Sequence, residues 1–219
     1  MSTQTIPYRE IFDRLPAGST LTLRNVSWEE YEGLLEGLGE ASGLRLSYDE
    51  GTLSVVTLSP EHESYSRLIE RLVDRLSARL RIRVLFFGSS TMKRRDRRKG
   101  TEPDACFYVQ SAAAIGSKIH LDFASDPPPD IVVEIDVSHD SLAKFSSYAE
   151  LGVPEIWRYD GKALTIYSLE EDEYRSVESS LALPMLTAGI LTGFTNQRRQ
   201  KDQYDVLLAF DEWLDDLNR

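Results

Sequence analysis

The stretch Ile131-Val132-Val133-Glu134-Ile135-Asp136-Val137 puts two carboxylates inside an otherwise apolar strand. Alternate side chains of a strand share a face. Glu134 and Asp136 therefore point one way, while Ile131, Val133, Ile135 and Val137 supply the opposite, apolar face. Burying two acids is costly unless they are paired or hold a cation. Such a strand must lie at a sheet edge, meet an arginine, or form part of a cation site, and the other segments have to supply what it lacks.

Those segments alternate in type. Ser27 with Glu30 three residues later is a capping-box pattern, and Trp28, Tyr31, Leu34, Leu35 and Leu38 follow at helical spacing. Leu44 to Tyr48 and Leu53 to Leu58 read as a hairpin around Asp49-Glu50-Gly51. Ser59 and Pro60 open a helix to about Leu80, with Tyr65, Leu68, Ile69, Leu72, Val73, Leu76 and Leu80 as its apolar stripe. The helical phase puts His62 on the apolar side and Glu63 towards water. Arg83 to Gly88 reads as a strand, a second short strand leads into the basic surface loop Lys93 to Gly100, and Ala105 to Val109 is a strand entered from Pro103-Asp104. After Ile131 to Val137, Ser138 or Asp140 caps a helix closed by Gly152 and Pro154. Glu155 to Tyr159 and Ala163 to Ser168 flank the hairpin signal Asp160-Gly161, Tyr174 to Val177 adds an edge strand, and Asp202 to Leu217 is an acidic amphipathic helix. The expected class is α/β, a mixed sheet flanked by helices.

Charge is distributed unevenly. The net is -11, yet residues 67–99 hold 12 basic and 3 acidic residues, a local +9 that leaves -20 elsewhere. Arg67, Arg71, Arg75 and Arg79 recur every four residues as a basic ridge, either a solvated helix face or a contact for phosphates. The lone Cys106 excludes an intramolecular disulfide. With no apolar run long enough for a bilayer and no signal-peptide core, the expected setting is the cytoplasm, away from membranes.

Two Pro-Asp pairs compete to supply a first carboxylate. Asp130 shares a strand with Glu134, which puts their Cα atoms roughly 13 Å apart, too far to share one ion. Asp104 begins a different strand that can pair beside the second, so Asp104 with Glu134 is the expected couple. The quoted segments, EPD, VVEID, a lysine four residues before tyrosine in KFSSY, and LGVPEIWRYD, resemble the Uma-type branch of the PD-(D/E)XK nuclease superfamily. The resemblance covers roughly Leu53 to Leu169 and includes HESYSRLIERL.

This resemblance implies a restriction-endonuclease-like core over residues 51–180. Residues 1–50 would be an N-terminal extension with a helix and first strand, and 181–219 a C-terminal loop and helix, all in one domain. It also implies a DNA phosphodiesterase dependent on Mg²⁺ or Mn²⁺, and a possible homodimer. Asp104, Glu134 and the Ile135 carbonyl would be the metal ligands, with Lys144 the catalytic cation. His62 is either a further catalytic contributor or a hydrogen-bonded histidine at a helix start. The sequence departs from the superfamily pattern where Asp136 stands in place of lysine; Lys144 matches a lysine migrated to the next helix. Asp136 then joins the metal shell or is exposed. Alternatives are a catalytically inactive binding or interaction protein on the same fold, or a hydrolase of RNA or small phosphodiesters. The convergence of Asp104, Glu134 and Lys144 discriminates them.

Overall fold

The computed structural model describes residues 8–39, 43–137 and 140–217. The expected cap at Ser138 lies outside them. In chain order the elements are α1 (Tyr8–Phe12), β1 (Thr20–Arg24), α2 (Trp28–Leu38), β2 (Leu44–Asp49), β3 (Thr52–Thr57), α3 (Pro60–Leu80), β4 (Leu85–Phe86), β5 (Met92–Arg94), β6 (Lys99–Thr101), β7 (Ala105–Tyr108), α4 (Ala112–Ile115), β8 (Ile131–Ile135), α5 (Phe145–Leu151), β9 (Glu155–Tyr159), β10 (Leu164–Glu170), β11 (Glu173–Val177), α6 (Ala188–Gln197) and α7 (Gln203–Leu217).

The expected mixed sheet is present. Among the described residues it runs β11-β10-β9-β8-β7-β4, with β8 and β9 parallel and the other neighbours antiparallel. A parallel pair needs a crossover connection, and α5 lies in it. A second, antiparallel sheet, β1-β3-β2-β6-β5, was not anticipated. The sequence Lys93 to Gly100 is not a loose loop: it folds as the β5–β6 hairpin of this second sheet, around a turn of 3₁₀ helix at Arg95–Arg97. The strand expected over Arg83 to Gly88 shrinks to β4.

Three apolar clusters explain the sheets. On one face of the mixed sheet, Leu68, Leu72 and Leu76 of α3 meet Ile131, Val133, Ile135, Leu191 of α6 and Phe210 of α7. On the other face, Val132, Cys106 and Ile156 pack against Tyr148 of α5. The antiparallel sheet buries Leu44, Leu46, Tyr48, Leu53 and Val55 against Trp28 and Tyr31 of α2. Strand alternation therefore turns Arg45 and Ser47 of β2 to the opposite side. Gly100 is demanded here: a Cβ would stand 2.3 Å from the Tyr31 hydroxyl oxygen, in a ring stacked on Tyr48.

Local signals set the ends of the main helices. Ser27 and Glu30 form the reciprocal capping box of α2. The Ser59 hydroxyl accepts from the His62 N–H at the start of α3, with Pro60 in the first turn. Gly152, at φ 78°, ends α5 in the left-handed region that favours glycine.

The basic ridge of α3 is spent inside the chain. Arg71 donates to Gln203, Arg75 pairs with Asp211 and Arg79 with Asp215, all on α7, while Arg67 pairs with Glu70. The β5–β6 hairpin is treated likewise. Lys93 and Arg95 pair with Glu32, Arg95 also with Glu29, and Lys99 with Asp49 and Glu150. Part of the acidic remainder of the sequence is thus the counterpart of its basic segment.

Candidate active site

The site forms where β7 and β8 run side by side. Their register pairs Ala105 with Val133, so the residue before β7, Asp104, lies opposite Glu134. Both side chains are buried, Asp104 at 4 % and Glu134 at 0 % exposure. Asp104 Oδ2 accepts from the Ile135 N–H at 2.7 Å and from His62 Nε2 at 2.9 Å. The Ser66 hydroxyl of α3 donates to the Asp104 carbonyl at 3.1 Å. His62 thus faces inward, as its helical phase requires, and its ring anchors the first carboxylate. Asp104 Oδ1 receives no hydrogen bond; the nearest donor of an ion pair is Arg45 Nε, at 3.7 Å.

Lys144 closes the constellation. It ends the 3₁₀ turn Leu142–Lys144 that runs into α5. Its Nζ donates to both Glu134 oxygens, at 3.0 and 2.9 Å, and to the Glu102 carbonyl at 3.1 Å. The Tyr148 hydroxyl, one turn later on α5, also donates to Glu134. Sequence reasoning quoted this tyrosine but gave it no role. The spacing of four residues, which puts two side chains on one helix face, was the available signal.

The charges are strongly perturbed. Burial pushes the Glu134 carboxyl up to about 7, despite the Lys144 ammonium, and the nearby Asp104 charge adds to the rise. Burial acts upwards on Asp104 too, but the His62 hydrogen bond, the charges of His62 and Lys144, and the Ile135 N–H hold it below the usual carboxylate range. For Lys144, burial works against the charge, yet Glu134 and Asp104 together keep the ammonium above its ordinary value. The site therefore contains one firmly ionised carboxylate, one poised near neutrality, and a fixed cation between strand and turn.

The other acids have different work. Asp130, the rejected first carboxylate, accepts from the Val109 N–H, the Ser111 N–H and the Ser111 hydroxyl, and so ties the end of β7 to α4. Asp136 is not exposed: it is buried, at 8 % exposure, and its Oδ2 accepts from the Ser141 N–H and hydroxyl, each at 3.0 Å, and from Arg158 of β9. The Ser141 carbonyl in turn accepts from the Lys144 N–H at 2.8 Å. Asp140 Oδ1 caps the same turn through the Leu142 N–H. Where the superfamily pattern has lysine, this chain has the anchor of the turn that carries its lysine. Glu155, in the LGVPEIWRYD segment, is a buried strut: it accepts from Trp157 and from the Leu181 N–H.

Among the described residues, no cluster of three or more His, Cys, Asp or Glu side chains is arranged to hold a metal. Asp104 and Glu134 remain, and buried oxygens without a hydrogen bond stand on Asp104, at Oδ1, and on Asp136, at Oδ1. That donor set suits a hard cation such as Mg²⁺, which takes one or two carboxylates and keeps much of its water. Ile135 meets the site through its N–H. No described helix is long and apolar enough to cross a membrane.

A family model described as "Uma2: Putative restriction endonuclease" matches residues 28–199. No curated protein matches significantly. Among solved structures, "a putative nuclease belonging to DUF820 from Anabaena variabilis ATCC 29413" has a similar fold, with a TM-score of 0.51 and 15 % identity over 78 % of this chain and 99 % of that one.

Proposed function

This chain belongs to the Uma2 family of putative restriction endonucleases, and on that premise we propose that it is a divalent-metal-dependent endonuclease hydrolysing DNA phosphodiester bonds. The observation that carries the reading is the convergence of Asp104, Glu134 and Lys144, brought together from two strands and a turn. Asp104 and Glu134 would hold Mg²⁺ or Mn²⁺, with the Ile135 carbonyl as a third oxygen donor. When bound, such an ion supplies an acidified water and stabilises charge on the phosphate.

The chain's own residues do the rest. His62 and the Ile135 N–H fix Asp104 Oδ2, leaving Oδ1 for a ligand. Lys144 Nζ, beside Glu134, orients the attacking water and offsets negative charge as it develops on the phosphate. Tyr148 keeps Glu134 in place. Cutting both strands of a duplex calls for two such centres, which a homodimer would supply.

The test is cleavage of duplex DNA, single strands, RNA and bis(p-nitrophenyl) phosphate, with Mg²⁺, with Mn²⁺ and with EDTA. Asp104→Asn and Glu134→Gln should each abolish metal-dependent cleavage while the protein stays folded by circular dichroism. A variant with full activity removes its residue from the ligand set, and failure of the wild type on every substrate sinks the nuclease reading. The internal neutralisation of the basic segments favours a second reading, hydrolysis of a small phosphodiester. It predicts turnover of the nitrophenyl ester alone.

A further inference from the structure

The antiparallel sheet turns Arg45 towards the site, and its guanidinium is under-used. Nη1 donates to the Leu44 carbonyl at 3.1 Å. Nη2 stands 3.6 Å from Glu63, and Nε, buried and without a hydrogen-bond partner, stands 3.7 Å from Asp104 Oδ1. A guanidinium carries five N–H donors in a rigid fork that matches phosphate oxygens, and leaving them unfilled away from water is costly. The side chain is 15 % exposed, and what it meets is a cleft of about 520 Å³. Ser89, Ser90, Thr91, Glu102, His120 and Phe123 line that cleft with it. Two of its lining residues touch the site: Arg45 faces Asp104, and the Glu102 carbonyl accepts from Lys144. The volume is in the range that small ligands occupy, enough for one nucleotide unit of a strand and not for a double helix.

The acids around Arg45 decide when an anion can enter. Glu63 and Asp104 face it directly, and Glu102 lies near enough for the Arg45 charge to act on its carboxyl, although burial pushes that carboxyl upwards. Without a divalent cation this surround repels phosphate. With Asp104 neutralised by a cation, Nε loses its rival carboxylate, and only the half-exposed Glu63 still faces the fork at Nη2.

We infer that Arg45 and this cleft bind a phosphodiester group of a single nucleic-acid strand next to the reacting centre, and do so only together with a divalent cation. This rests on the proposed metal site, so its test reads binding instead of cleavage. A short fluorescein-labelled single strand is titrated by anisotropy with Ca²⁺, and again with EDTA. Wild type should bind with Ca²⁺ and lose most of that affinity in EDTA. Arg45→Ala should bind about tenfold more weakly and show a salt slope shallower by about one unit. Arg45→Lys should recover only part, and Arg45→Gln serves if the alanine variant does not fold. Mn²⁺ binding, read by electron paramagnetic resonance without the strand, should be unchanged or tighter in each variant.

Wild-type strand affinity in Arg45→Ala or Arg45→Gln overturns the assignment while leaving the nuclease reading intact. Equal affinity with and without Ca²⁺ overturns the coupling to the cation, and with it the inference. Strand binding that depends on Arg45 and Ca²⁺ in a protein that cuts nothing supports the site and sinks the nuclease reading alone.

Discussion

Lys144→Ala should destabilise the protein by an amount that grows with pH. The ammonium lies 2.9–3.0 Å from both oxygens of Glu134, and at an effective dielectric of about 20 such a pair attracts by ~5 kcal/mol before desolvation is counted. Removing one partner of a buried pair usually costs about 3–5 kcal/mol, unless the survivor can become neutral. Glu134 can, because burial already pushes its carboxyl up to about 7.

The sign follows from proton counting. A carboxyl whose folded value is raised binds more protons folded than unfolded, so stability falls as pH climbs from the unfolded value towards the folded one. In the wild type that fall ends once pH passes about 7. In the variant the lost cation lifts Glu134 further, and the fall continues. Well below neutrality both proteins carry a protonated Glu134, and the difference is limited to lost hydrogen bonds, about 1–2 kcal/mol. Above neutrality the gap widens by about 1.4 kcal/mol per pH unit until Glu134 ionises in the variant as well. Urea unfolding of both proteins in EDTA, from about pH 6 to about pH 9, measures it. A gap that stays constant across this range would refute the reasoning, because Glu134 would then be no different in charge with or without Lys144.

Mn²⁺ affinity should rise with pH, by at most about tenfold per unit, and level off above the Glu134 value of about 7, because a proton and the cation compete for that carboxylate; calorimetry in buffers of different ionisation enthalpy checks the proton release. Asp136→Ala frees Ser141 and Arg158, so it should cost about 2 kcal/mol of stability and lower the cleavage rate while leaving Mn²⁺ affinity unchanged. A large loss of Mn²⁺ affinity would instead make Asp136 a ligand. Arg75→Ala should change stability by less than about 1 kcal/mol, since its pair with Asp211 is half in solvent, and should leave the salt slope of DNA binding as it was.

The carboxylate couple was legible because strand geometry is arithmetic. Asp130 and Glu134 lie too far apart on one strand, and the structure gives Asp130 to the Val109 and Ser111 amides. The inward phase of His62 followed from the regularity of α3 after its Ser59 cap. Lys144 was legible only through the family resemblance, since its reach depends on a turn whose shape Asp136, Asp140 and Arg158 set together.

Arg45 carried no local signal: strand alternation says which way it points but not that a second sheet stands across from Asp104. The helix α6 was invisible for a related reason. Its sequence, AGILTGFTNQ, is poor in helix formers, and it holds through packing of Leu191 and Phe194 against the core and through the Thr187 cap. The pairing of α3 arginines with α7 likewise joins residues more than a hundred positions apart, which no window of sequence contains.

The anchor at Asp136 has a consequence for descent. In the pattern that the resemblance implies, the cation would sit on the same strand as its carboxylate, the two forming one rigid piece. Here the cation arrives on a separate turn, held by an aspartate at the strand end and an arginine on the neighbouring strand. Drift at Asp136 or Arg158 would then weaken the proposed catalysis while sparing the apolar face beneath, which is built from Ile131, Val133 and Ile135. Lineages could thus keep the scaffold and weaken the chemistry in one substitution.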